Sequence, residues 1–212
     1  LERKKIDIHT TEKFFIYMQN FYFAYGVVCG GKSNVLDDLV IDYAKQIEND
    51  DSINAIKIFI QRLQNYYPPY SQFLAAFKLL GYSQKVKSYK TSAKKHDIQY
   101  ILKEFENYWL NQNQELSVHS LTIEHIGCDN GEEMHCRIGN LLPLAKSVNE
   151  HISNATFTDK LIQYQHSNFI SVKKFLHYYG KNTEWTEKDI DNRSTHMAEL
   201  AYKHIWSTQG IF

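Results

Sequence analysis

Net charge is the first thing this sequence lacks, since 24 Lys and Arg balance 24 Asp and Glu over 212 residues. A neutral total offers no global attraction to a polyanion, so any contact with nucleic acid must come from local clusters of cations. Long apolar runs are missing too. The best candidate, Phe21 to Cys29, is short, tyrosine-rich and closed by Gly30-Gly31, well under the ~20 residues that span a bilayer, so no membrane contact is expected. Cysteine is sparse and odd in number, with Cys29, Cys128 and Cys136 alone. That argues against a disulfide framework and for a reducing cytoplasm. There is no Gly-rich phosphate loop and no repeat of fixed period. The chain opens on Leu1 with no charged-then-apolar leader, which reads as a piece of a longer protein rather than a secreted precursor.

What is abundant is core material, with 43% hydrophobic and 14% aromatic residues. Up to about residue 113 its spacing is helical. Phe14, Met18, Phe21, Tyr22 and Tyr25 recur at steps of three and four, and so do Leu36, Leu39, Val40, Tyr43 and Ile47 behind a cap at Ser33 or Asn34. Ile56, Phe59, Ile60 and Leu63 mark a third helix before Pro68-Pro69. Phe73, Leu74, Phe77 and Leu80 mark a fourth, with Gly81 as its C-cap, and Ile98, Ile101, Leu102, Phe105 and Trp109 a fifth. The stretch from Gln84 to His96 carries five lysines, Lys85, Lys87, Lys90, Lys94 and Lys95, and no acid. It reads either as a solvated loop or as a loop that tracks phosphates, with Tyr82 and Tyr89 available to stack on bases.

A polar hinge at Asn111 to Gln114 separates this region from one of different texture. Leu116 to Ile126 is partly alternating and β-branched, as a strand requires. A turn-rich loop follows from Gly127 to Glu133. Ile138 to Leu144 reads as a second strand with Asn140 in its middle, and a short helix is expected from near Ala145, carrying Asn149. The expected fold class is therefore mainly α: a helical bundle over 1–113, then a domain over 114–212. A compact ββα core is expected at about 118–152, with further helices behind it.

Thr122-Ile123-Glu124-His125-Ile126, then Arg137-Ile138-Gly139-Asn140-Leu141-Leu142, then Asn149, resembles the His-Asn-Asn branch of the HNH nucleases. More narrowly it resembles the C-terminal nuclease portion of GmrSD-type, modification-dependent restriction enzymes. Ser153 to Lys160 matches that family's Asn-x-x-Phe-x-x-Lys element, and Trp185, Ile190, Arg193 and Trp206 its closing helix, so that the likeness runs over about residues 97 to 206. The resemblance implies a metal-dependent endonuclease acting on foreign DNA. His125 would be the general base, Glu124 and Asn149 oxygen ligands to Mg²⁺ or Mn²⁺, and Asn140 a brace for the loop that aims His125. It implies a DNA substrate and an N-terminal sensor and nucleotide-hydrolysing domain outside this sequence. This chain departs from the family in having Gly127-Cys128 where a proline is common.

Three further readings stand beside this one. Zinc on Cys128, His135, Cys136 and His119 lacks the paired close spacings of structural zinc sites. Lys160 and Arg193 are expected to grip DNA phosphates, supported by Lys85, Lys87 and Lys90; Arg193 could instead pair with Asp189 one helical turn away. The alternative function is a non-catalytic module, in which a degenerate ββα fold docks nucleic acid or a partner.

Overall fold

The computed structural model describes residues 6–49, 53–110, 121–152 and 155–212. It is mainly helical with one small two-stranded sheet. By Cα proximity the chain forms two compact units, Leu1–Ala76 with Tyr202–Phe212, and Phe77–Ala201. The boundary expected near residue 113 falls on residues outside the described ones.

The first unit contains α1 (Ile8–Tyr22), α2 (Asn34–Asn49) and α3 (Ile53–Gln64), followed by most of α4 (Tyr70–Phe77). Asp7 caps α1 by accepting from the backbone N–H of Thr10. The helix then loosens into a π-turn at Phe23–Val28. Apolar spacing places the core as expected along α3, where Ile56, Phe59, Ile60 and Leu63 are all buried. On α1 the stripe is displaced, because Tyr17 and Phe21 are inside while Tyr22 is 60% exposed. Aromatic contacts dominate here: Tyr43 stacks on Phe59 at 4.3 Å and Phe23 on Trp206 at 3.8 Å. Trp206, expected to belong with the closing helix of the nuclease region, thus belongs to this unit, where Asn20 Nδ2 donates to the Ser207 carbonyl at 2.7 Å.

The second unit is built around the hairpin β1 (Thr122–His125) and β2 (Leu141–Leu144), which are antiparallel with Glu124 opposite Leu142 and His125 opposite Leu141. Around it lie α5 (Ser92–Leu110), the one-turn α6 (Glu133–Cys136), α7 (Lys146–Ile152), α8 (Phe157–Tyr164), α9 (Ile170–Tyr179) and α10 (Glu187–Leu200). The helix α5, grouped by sequence with the amino-terminal bundle, contacts both strands and α9. Its Glu106, 2% exposed, accepts from the backbone N–H groups of Ile170 and Ser171 and so caps α9, whose own N-cap residue is the apolar Phe169. Ile126, Leu142, Leu144, Ile152, Leu161, Tyr164, Val172 and Phe175 form one buried cluster, each large side chain contributing about 1.5–3 kcal/mol relative to exposure. Asn140 was expected mid-strand. It sits instead at the end of a 3-10 turn, Ile138–Asn140, immediately before β2.

Candidate active site

Alternation along β1 sends neighbouring side chains to opposite faces, and this separates the two adjacent residues of the Glu-His pair. Glu124 turns inward, 5% exposed, and its Oε1 accepts from Lys160 Nζ at 2.7 Å and Tyr164 Oη at 3.0 Å, both from α8. Lys160 also donates to the His125 carbonyl, so one buried ammonium ties both residues of the pair to α8. Burial, and next the charge of Glu124, hold the Tyr164 phenol well above its ordinary pKa, so it stays an O–H donor.

His125, half-buried, is 2.9 Å from the Tyr82 carbonyl through Nε2. A carbonyl only accepts, so the proton of the neutral ring resides on Nε2 and the lone pair on Nδ1. Burial pushes the imidazole pKa below its usual range, against the opposing pull of the Tyr82 carbonyl and of Asp129. The ring is therefore neutral at physiological pH, with the Nδ1 lone pair unprotonated.

The segment bearing Tyr82 was read from sequence as a helix end and a loop. In the structure it is a short backbone bridge: Gly81 pairs with Arg137, Tyr82 N–H donates to the Cys136 carbonyl at 2.9 Å, and Ile138 N–H to the Leu80 carbonyl at 2.7 Å. A Cβ on Gly81 would lie 2.1 Å from the Cys136 oxygen, so glycine is required by close approach rather than as a left-handed C-cap. Next in sequence, Ser83 Oγ and Gln84 N–H donate to Asp129 Oδ2 at 2.8 and 3.0 Å. Burial would raise the Asp129 pKa, but these two donors, with His125 close by, hold it below the usual carboxylate range. Sequence reasoning missed Tyr82, Ser83 and Asp129 as parts of the site. The only cue was Gly81 followed by two residues of polar function.

Asn140, fully buried, spends three of its four hydrogen bonds on the loop behind His125 and the fourth on Trp185. Its Oδ1 accepts from Gly127 N–H at 2.7 Å and Trp185 Nε1 at 3.0 Å, and its Nδ2 donates to the carbonyls of Gly127 and His135, both at 2.7 Å. Asn149 on α7 donates through Nδ2 to Thr122 Oγ1 at 2.8 Å and the Ile123 carbonyl at 3.2 Å, which turns its amide oxygen away from those groups. The Glu124 oxygen not taken by Lys160 and Tyr164, and the Asn149 amide oxygen, remain as donors without a hydrogen-bond partner among the described residues. One carboxylate and one amide oxygen suit a hard dication that keeps much of its water. No group of three His, Cys, Asp or Glu that could hold a metal exists among the described residues. Cys128 Sγ faces the Ala155 carbonyl and Cys136 Sγ the Glu132 carbonyl; His119 lies outside the described residues.

A family profile described as the C-terminal domain of GmrSD restriction endonucleases matches residues 78–200. The chain belongs to this family. The match to the GmrSD C-terminal domain coincides almost residue for residue with the second compact unit, Phe77–Ala201, and leaves Trp206 outside it. Comparison with curated proteins and with solved structures gave no match. Within the GmrSD unit no helix among the described residues is long and apolar enough to cross a membrane.

The cations expected to hold DNA divide sharply. Lys160 is 1% exposed and committed to Glu124, and Arg193 is 9% exposed and committed to backbone. Arg193 Nη1 donates to the carbonyls of Gly139 at 2.7 Å and Leu141 at 3.0 Å, on either side of Asn140. Neither is placed at the surface as a phosphate contact would require, and Arg193 does not pair with Asp189, which is occupied in a capping box with Thr186. Their work is internal: α8 fixes β1, and α10 fixes the turn before β2. Gly139 permits that second contact, since a Cβ there would lie 2.1 Å from the Ile190 carbonyl oxygen. Lys85, Lys87 and Lys90 are exposed on the segment that follows Ser83, whose hydroxyl is held by Asp129, and Lys95 is exposed in the first turn of α5. Tyr82 and Tyr89, expected to stack on bases, are 9% and 5% exposed and serve as packing. Lys95 sits 6.0 Å over the Tyr82 ring and Lys94 4.6 Å over that of Tyr89.

Proposed function

We propose that the second unit is an HNH-type nuclease centre that hydrolyses DNA phosphodiester bonds with Mg²⁺ or Mn²⁺. The observation that carries this reading is the His125 ring, held through Nε2 by a backbone carbonyl so that a neutral, partly desolvated Nδ1 is left to accept a proton. In the proposed reaction Nδ1 takes the proton of the water that attacks phosphorus. Glu124 and Asn149 would offer their oxygens to the ion, and Asn140 keeps the Gly127–His135 loop in place behind the base. The ion, when bound, supplies Lewis acidity to the phosphate and the leaving oxygen. The exposed lysines Lys85, Lys87 and Lys90, which follow the Tyr82-Ser83 segment that contacts His125 and Asp129, would provide the local positive charge that the neutral chain lacks. In the whole protein a sensor and nucleotide-hydrolysing domain would select the DNA, in a cytoplasmic defence against foreign genomes.

A second reading has one specific observation behind it. The Glu124 carboxylate is already neutralised by Lys160 inside the protein, and a buried pair of this kind can be purely architectural. The unit would then dock nucleic acid or a partner without cutting. Nicking of supercoiled plasmid with Mg²⁺ or Mn²⁺, abolished by chelator, supports the nuclease reading; binding of the plasmid without metal-dependent cleavage favours the docking module.

A further inference from the structure

In the second unit α5, β2, α9 and α10 line a cavity of about 100 Å³ that is open to solvent on one side. Its walls are largely apolar, with Phe105, Trp109, Phe175 and Leu200 among them, and no Asp or Glu lines it. The charged groups that do line it are all cationic or capable of becoming so: Arg193, Lys174 and His196.

Arg193 is the unusual member. It is nine-tenths buried, with its guanidinium carbon 5.6 Å from the Phe175 ring, and no carboxylate pairs with it among the described residues. Only Nη1 is engaged, by the carbonyls around Asn140; Nε and Nη2 donate to nothing among the described residues. Burial lowers its pKa to about 10, which leaves it charged at neutral pH. A cation kept in an apolar site without a counter-ion is costly unless something compensates it. Lys174 Nζ, 4.0 Å over the Trp109 ring, adds a second cation to the same cavity. The uncharged polar lining groups are Tyr178, Tyr179 and Ser171, of which Ser171 already spends its hydroxyl on Glu106.

We propose that this cavity is a binding site for a small aromatic carboxylate, whose ring fills the apolar space while its carboxylate meets the free edge of Arg193. At about 100 Å³ the cavity is smaller than the closed cavity of about 150 Å³ that accepts benzene, so no more than one ring enters it, with part of the ligand at the open mouth. A guanidinium edge matches a carboxylate through two parallel hydrogen bonds. A nucleobase suits the cavity less well, because its several polar edge groups would find few partners on these walls.

The test uses the intact chain and needs no cleavage, so it succeeds or fails independently of the nuclease reading. Benzoate is titrated while tryptophan fluorescence, to which the wall residue Trp109 contributes, and thermal melting are followed. The expected result is saturable binding with a dissociation constant on the order of 1 mM, as ligand size allows, and a melting temperature raised by about 3–6 °C at tenfold that concentration. Benzyl alcohol, which keeps the ring and lacks the charge, is expected to bind at least about tenfold more weakly. Leu200→Trp, which fills the cavity and leaves the carbonyl contacts of Arg193 alone, is expected to abolish saturation. Arg193→Lys, if it melts as wild type, is expected to weaken it about tenfold; if it does not fold, Leu200→Trp decides. Absence of saturable benzoate binding at tens of millimolar would overturn the proposal. So would equal affinity for benzyl alcohol, unaltered binding in Leu200→Trp, or tighter binding of thymidine monophosphate than of benzoate.

Discussion

The two units of this chain are held by different chemistry. In the first, aromatic and aliphatic packing dominates: Tyr17, Phe21, Phe59 and Leu63 are buried, and among the described residues its buried polar side chains are the uncharged Asn20 and Thr208. In the second, every buried carboxylate and cation among the described residues is found, namely Glu106, Glu124, Lys160 and Arg193. None of these is idle. Glu106 caps a helix, Lys160 fixes Glu124 and the His125 carbonyl, and Arg193 clasps the turn that presents Asn140. Apolar packing tolerates a range of shapes at similar cost, whereas a hydrogen-bonded charge has a narrow geometry and is expensive to misplace. A unit that must hold a base, a brace and two oxygen donors in register uses the second kind of cement.

The comparison is sharpened most by removing the Lys160 ammonium. Lys160→Leu strands a buried Glu124 charge, and chemical denaturation is expected to record a loss of about 3–5 kcal/mol. A loss under about 1 kcal/mol would mean that the pair is not the fixing element described. In the first unit Leu63→Ala is expected to cost about 2–5 kcal/mol through an unfilled cavity, while cleavage per folded molecule stays within a factor of about two, as expected of distant independent sites. A selective loss of cleavage there would break the division of labour. Gly81→Ala is expected to do the opposite. The Cβ collides with the Cys136 oxygen, so the Tyr82 carbonyl must shift from His125. Cleavage should fall about tenfold or more through the misplaced base, for about 1–3 kcal/mol of stability. The smallest effect on stability is predicted for the lysine loop. Replacing Lys85 and Lys87 by glutamate is expected to change stability by under about 0.5 kcal/mol yet to flatten the salt dependence of DNA binding by about one counterion per lost phosphate contact.

Much of this was legible in the residues. Step-of-three-and-four spacing located α3, α4 and α5 because the buried face of a helix is a local periodic property. The β-branched, partly alternating stretch ending at Ile126 and the apolar run from Ile138 located the two strands, shorter in the structure at Thr122–His125 and Leu141–Leu144, because strand pattern is readable over a few residues; Leu116 to Ser120 lie outside the described residues. Which helix packs with which was not legible: the stripe on α5 fits a bundle as well as it fits β2 and α9. Nor were the destinations of long cations. Lys160 and Arg193 have the same look in sequence as Lys85, and only partners 36 and 54 residues away along the chain turn them inward. Tyr82 acts through a backbone carbonyl, which no side-chain pattern can reveal, and Asp129 acts through a loop closed only in three dimensions.

The central claim is tested most directly by plasmid nicking with Mg²⁺ or Mn²⁺, comparing the wild-type chain with His125→Ala at matched folded concentration. The expected result is metal-dependent, chelator-sensitive nicking by the wild type and a loss of about 100-fold or more in the variant, with thermal melting and DNA binding little changed. Nicking by His125→Ala within a few-fold of wild type, or nicking that survives chelator, would contradict it.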